Sequence, residues 1–123
     1  MIDVSTAGFI VNSISFLCAY IFVVTMTGAF RAWVAVYMGD VSIERAGFVT
    51  LNPIMHVQPI GMLFLLLQSF GVGSFIPINP DYIQGRYRGL KLFCAFYSDT
   101  ILNGVSAVVG LLVLIITFDS KII

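Results

Sequence analysis

GFIVNSISFLCAYIFVVTMTGAF, residues Gly8 to Phe30, carries no charged side chain over 23 consecutive positions. About 20 apolar residues in a helix cross the hydrocarbon core of a bilayer, so this stretch reads as a membrane helix. The helical pattern continues through Arg31 and AWVAVYM and stops at Gly39-Asp40, where glycine supplies the left-handed residue that closes a helix. A helix over about 6–38 is roughly 50 Å long at 1.5 Å per residue. It must tilt or project from the bilayer, with Arg31 near an interface or a cavity. The run reads as retained rather than cleaved, because Asp3 precedes it and a positively charged leader segment does not.

The composition agrees. Of 123 residues, 59% are hydrophobic and 10% are charged, with a formal net charge of zero; the mean hydropathy is +1.04. A soluble domain sits near 45–50% apolar and about 25% charged. Six cations and six anions are too few to cover a globule of this size, whose surface-to-volume ratio is high. Lipid must cover the apolar surface instead. The balance of charge excludes a basic nucleic-acid footprint. Cys18 and Cys94 lie in apolar runs and are expected to be buried thiols acting as small hydrophobes; their spacing suggests neither a disulfide nor a metal pair.

Outward from the first run, Asp40 to Ile60 changes texture. SIER, Ser42 to Arg45, makes one short turn at most, and Pro53 and Pro59 break both helices and ladders. A short extended segment or hairpin-like loop is expected here, lying on the membrane surface or against another part of the protein. A second apolar run, Ile60 to Phe75, predicts a helix over about 59–76, short for a full span; a re-entrant segment is the alternative. Pro77 to Lys91 holds two prolines, two glycines and the cluster Arg86, Arg88, Lys91, with Tyr82 and Tyr87 suited to the headgroup region. A third run predicts a helix over about 92–118. It contains Asp99, and its last 19 residues, Thr100 to Phe118, are uncharged. The expected fold is an all-α membrane protein, one transmembrane domain over 1–123 with about three helices.

Few residues offer chemistry. His56 is the one histidine, too little for zinc, which needs about three protein ligands; a structural hydrogen bond is its expected role. Asp99 is an acid inside a membrane segment, a place where ionisable groups face protein and find partners. Arg31 either snorkels to the interface or pairs with Asp99. Asn12, Asn52, Asn79 and Asn103 are expected to join helices or cap turns.

TGAFRAWVAVYMGDVSIERAGFVTLNPIMHVQPIG, from Thr27, resembles the site-2 protease family of intramembrane zinc metalloproteases, peptidase family M50. The shared pieces are AWVA at Ala32 to Ala35, Gly39-Asp40, RAG at Arg45 to Gly47, TLNP at Thr50 to Pro53, His56, and PIG at Pro59 to Gly61. PINPDYIQGRYRG, Pro77 to Gly89, is similar to a later family loop, and SDTILN, Ser98 to Asn103, stands where the family reads AGPLSN, so the resemblance covers Thr27 to Asn103. The departures fall on the chemistry. Thr27 and Arg31 stand at the positions of the two zinc histidines, and Gly28 at that of the catalytic glutamate. In the family these histidines lie one helical turn apart and the glutamate activates the zinc-bound water. The family's third ligand is an aspartate in a late DG motif; the late acid here is Asp119, followed by serine.

The resemblance therefore implies a scaffold like the site-2 protease transmembrane core with no catalytic residues, no bound metal and no cofactor. Arg31 and Asp99 are new charges bordering the family's active centre, which suggests a buried ion pair there. Arg31, Asp99, His56, Asn52 and Asn103 are the structural or partner-binding candidates. The expected function is a non-catalytic subunit or assembly scaffold of a larger bacterial membrane complex, with other membrane subunits and lipid as partners, in the inner (cytoplasmic) membrane. The alternatives are a pseudoprotease that binds transmembrane client helices, and an active metalloprotease with an unusual site. With three spans, Arg31, Arg45 and Lys121 fall on one side and Arg86, Arg88 and Lys91 on the other, so positive charge does not choose the orientation. The resemblance favours a periplasmic N-terminus and a cytoplasmic Asp40 to Pro59 loop. A re-entrant second run would bring both loops inside.

Overall fold

A computed structural model describes residues 4–68 and 71–122. Its elements are α1 (Val4–Met38), α2 (Ser42–Arg45), α3 (Pro53–His56), α4 (Pro59–Gln68) and α5 (Arg88–Ile122). The described residues contain no sheet; a single antiparallel bridge joins Val57 to Gly73. Two helices, α1 and α5, are long and apolar enough to cross a membrane. Burial separates them from the core helices of a soluble protein: only 6% and 0% of their most apolar stretches lie inside the molecule. Phe9, Phe22, Leu111 and Ile116 all point outward, a surface stable in hydrocarbon and not in water.

α1 stops at Met38 because Gly39 takes φ 128°, a conformation that L side chains rarely adopt. The last carbonyls are then capped by the turn itself: Gly39 N donates to Val36 O at 3.0 Å and Asp40 N to Ala35 O at 3.0 Å, the paired bonds of a Schellman end. A Cβ at Gly39 would also stand 3.2 Å from the Tyr82 carbonyl. Gly39→Ala is expected to cost about 1–2 kcal/mol, read as a lower midpoint in an unfolding titration in mixed micelles.

The run expected to be helical over about 59–76 is helical over Pro59–Gln68 and extended from Gly71, as the re-entrant alternative has it. α4 has ten residues, roughly 15 Å at the helical rise, half a hydrocarbon core. From Gly71 the chain is extended, bridged at Gly73 to Val57, with Ser74 N donating to His56 O at 2.8 Å. Gly61 explains the fold-back. A Cβ there would collide with the Val72 carbonyl and lie 2.6 Å from the Tyr20 hydroxyl. Backbone meets backbone only because position 61 has no side chain. Tyr20 closes the arrangement by donating its hydroxyl to Val72 O at 2.6 Å.

α1 and α5 run antiparallel. Arg31 faces Asp99, Ala35 shares a buried cluster with Ala95, and Thr27 and Asn103 border one cleft. That core sits at one end of the helix pair: Ala32, Ala35 and Ala95 let the helices approach, and Ile43, Ile76, Ile78 and Ile83 fill the space beneath the loops. Asp40, fully buried, fastens the two loops together. Its Oδ1 accepts from the Ser42 backbone N–H at 3.1 Å and from the Ser42 hydroxyl; its Oδ2 accepts from Asn79 N at 2.6 Å. The loop after α1 and the loop before α5 therefore lie at the same end. This departs from the three-span expectation, which set Arg86, Arg88 and Lys91 opposite Arg45, and agrees with the re-entrant alternative, because α4 turns back instead of continuing across. The cysteines also differ from expectation: Cys18 is exposed on α1 and Cys94 is partly buried, which suits small apolar groups facing lipid.

Candidate functional site

The stripe of α1 from Phe16 through Tyr20, Val24 and Gly28 to Arg31 forms one wall of a cleft of about 650 Å³. The extended segment 71–76 forms a second wall, and Asp99 and Asn103 of α5 enter at the polar end. Helical spacing creates the first wall, since residues three and four apart share a face. The wall rises roughly 22 Å along the axis, from an aromatic ring to a guanidinium.

Thr27, Gly28, Arg31, His56, Asp99 and Asn103 all border this one cleft. Arg31 Nη1 lies 3.3 Å from Asp99 Oδ2, with side chains 18% and 30% exposed. Arg31 Nε is buried and has no partner among the described residues. Thr27 spends its hydroxyl within its own helix, donating to Val23 O at 2.8 Å. His56 is 1% exposed, and its Nε2 lies 2.8 Å from Thr50 O. A carbonyl only accepts, so Nε2 carries the proton of that bond. Nδ1 is buried without a partner and is pressed against the bare face of Gly28, where a Cβ would stand 2.5 Å from it. Any side chain at position 28, a glutamate included, would have to displace His56. Asn52 is not brought to the cleft. It caps α3, its Oδ1 accepting from Ile54 N at 3.1 Å, the ordinary role of asparagine ahead of a proline-led helix.

Asp40, Tyr20 and Gly61 hold the cleft in shape and were not singled out from sequence as site residues. The signal for Asp40 was present: an aspartate two residues before a serine at a helix end is the pattern of a side chain that bonds the backbone two positions on. The signals for Tyr20 and Gly61 lie in the tertiary packing alone.

The donor set does not fit zinc. Among the described residues no three His, Cys, Asp or Glu side chains gather to hold a metal ion. A guanidinium, which keeps its charge in proteins, occupies the polar end of the cleft and engages the acid beside it. What the arrangement offers is an internally neutralised polar patch at the end of an apolar groove.

Comparison with known proteins supports a distant kinship. The chain is 31% identical over 93 residues, 75% of its length, to a Bacillus subtilis (strain 168) protein described as "Putative zinc metalloprotease YwhC". The chain spans 41% of that relative's length. No family model matches the chain, and no solved structure matches it. The chain is thus an all-α protein with two apolar helices of membrane-spanning length, distantly related to that Bacillus subtilis protein.

Proposed function

We propose that this chain is a non-catalytic member of the site-2 protease family, and that it serves as a subunit or assembly scaffold of a larger membrane complex in the bacterial inner membrane. The observation that carries the first part is the Arg31–Asp99 contact at 3.3 Å in the cleft that Thr27 and Gly28 also border. Arg31, which stands at the position of a family zinc histidine, is engaged by Asp99, a charge that the family's pattern lacks, from the facing helix. Metal analysis of the purified chain tests this: zinc well below one equivalent is expected, and stoichiometric zinc would instead favour the reading of an active metalloprotease with an unusual site.

The scaffold role rests on the exposed apolar length of α1 and α5, available to other membrane helices as well as to lipid. A second reading, a pseudoprotease that holds transmembrane client segments, is favoured by the open cleft of about 650 Å³, since an ion pair alone would not need one. Photo-crosslinking from Val72, on the cleft wall, separates them. Adducts to constant, stoichiometric membrane subunits support the scaffold; adducts to many transient single-span proteins support the pseudoprotease.

Both loops at one end also restore a charge asymmetry. Arg45, Arg86, Arg88 and Lys91 lie at the loop end, against Lys121 near the other end of the sequence. The positive-inside tendency then puts the loops in the cytoplasm and the outer ends of α1 and α5 in the periplasm. Cysteine labelling at Ser42 and Gln84, in a background without Cys18 and Cys94, is expected to occur at both positions from the cytoplasmic side. Labelling of the two from opposite sides would mean that the second run crosses the membrane.

A further inference from the structure

We infer that the basic segment at the start of α5, Arg86, Arg88 and Lys91, is an interaction surface for the phosphate headgroup of an anionic phospholipid in the leaflet on the loop side. Depth is the first argument. From Lys91 to Asp119 α5 rises roughly 42 Å, which matches the 40–45 Å or so of a bilayer with its headgroup layers. Placing Asp119 at one surface puts Lys91 at the other, with Arg88 and Arg86 just outside it. Leu90 and Phe93 are exposed beside Lys91, as residues entering lipid should be. Tyr82 and Tyr87 are exposed in the same loop, where aromatic rings settle at headgroup level.

Charge is the second argument. Three cations fall within six residues, and the first turn of α5 holds no acid. Arg88 donates to the Pro80 carbonyl at 3.2 Å and Lys91 to the Gln84 carbonyl at 3.2 Å; neither acceptor carries a neutralising charge. The guanidinium of Arg86 lies 5.5 Å from the centre of the Tyr87 ring, a contact that also leaves the charge in place. The nearby acid, Asp81, stands 3.9 Å from Arg88 with both side chains exposed, 87% and 52%, so that pair holds little. The Arg31 cation, by contrast, has Asp99. The protein thus neutralises the cation inside the bilayer and leaves uncompensated the three that reach the headgroups, so the compensating anion is one the membrane supplies. Each such cation near an anionic leaflet is worth roughly a fivefold in association, so three together give on the order of a hundredfold.

The test uses the full chain in vesicles of equal phosphatidylglycerol and phosphatidylcholine content, followed by mild release and native mass spectrometry of the lipids that stay bound. About a fivefold or greater excess of phosphatidylglycerol is expected, falling as salt rises to about 0.5 M because exposed charges are screened. The triple variant Arg86→Gln, Arg88→Gln, Lys91→Gln should bind the two lipids equally, while Arg86→Lys with Arg88→Lys should keep the preference. Parity in the unmodified protein, a preference that ignores salt, or a preference that survives the triple substitution would each overturn the inference. Removal of the preference by millimolar inorganic phosphate would overturn the lipid assignment in favour of a soluble phosphate. Should the triple variant fail to insert, the salt and phosphate arms on the unmodified protein still decide.

Discussion

Asp40→Ala should destabilise the protein by about 3 kcal/mol, the sum expected when buried donors lose their acceptor at roughly 1–3 kcal/mol each. The carboxylate is fully buried and accepts from Ser42 N, from the Ser42 hydroxyl and from Asn79 N. Removing it takes the acceptor from two backbone N–H groups in a part-buried junction, and it cuts a side-chain hydrogen bond that ties the loop after α1 to the loop before α5. Asp40→Asn should fall between the alanine variant and the unmodified protein. Its single carbonyl oxygen can serve one loop, but its NH₂ then confronts the donor from the other. An unfolding titration in mixed micelles checks both. The same substitution should raise labelling of a cysteine placed at Ile83, now fully buried against that junction, before global unfolding begins. Alanine and asparagine variants equal to the unmodified protein would mean that Ile43, Ile76 and Ile78 hold the loops without the carboxylate.

The two long helices were legible in the sequence because nothing competes with the reading. Gly8 to Phe30 and Thr100 to Phe118 lack charge, and a charge-free helix of that length has one stable solvent. The end of α1 was legible for a similarly local reason, the left-handed residue at Gly39. The fold-back of α4 was legible only as one of two alternatives. Ile60 to Phe75 is as apolar as a span, and what turns it is a contact across sequence: Gly61 against the Val72 carbonyl, clamped by Tyr20. Glycine at 61 reads from sequence as a weak helix former and shows its purpose only when the opposing backbone is in place. The three-span reading separated loops that Asp40 joins, and the re-entrant reading kept them together.

The polar end of the cleft was legible through replacement. Arg31 and Asp99 are 68 positions apart, and no periodicity connects them. They were linked because each is a charge that the resembling family's pattern lacks, at positions bordering that family's active centre. The packing of His56 against Gly28 was beyond that argument. It depends on the histidine ring reaching α1 from α3, and it implies that the absence of a side chain at 28 and the position of His56 are one packing solution. Rebuilding the family's ligand motif at Thr27, Gly28 and Arg31 alone should therefore leave the chain without tight zinc, since the new glutamate would contend with the imidazole.

Arg31→Met and Asp99→Leu should each cost about 2 kcal/mol, while the double variant should lie within about 1 kcal/mol of the unmodified protein. The single losses are set below the 3–5 kcal/mol or so of a fully buried pair, because the side chains retain 18% and 30% exposure and each abandoned charge keeps some access to water through the cleft. They are set above the 0–1 kcal/mol or so of a surface pair, because Asp99 lies eight positions inside α5 from Lys91, roughly 12 Å along the axis, where the alternative to a partner is hydrocarbon. Arg31 adds its buried Nε, already without an acceptor, to the cost that methionine removes. Both desolvation penalties vanish together in the double variant, and methionine and leucine fill comparable volume, which is why it recovers. A double-mutant cycle in mixed micelles gives the coupling directly. Additive single losses would show that the two charges are stabilised separately, Arg31 by snorkelling and Asp99 by water in the cleft, and would remove the ion pair from the proposed function. A double variant that folds well and still lacks zinc would show that a repulsive cation is not what keeps the metal out, and would leave the absence of histidines at 27 and 31 as the reason.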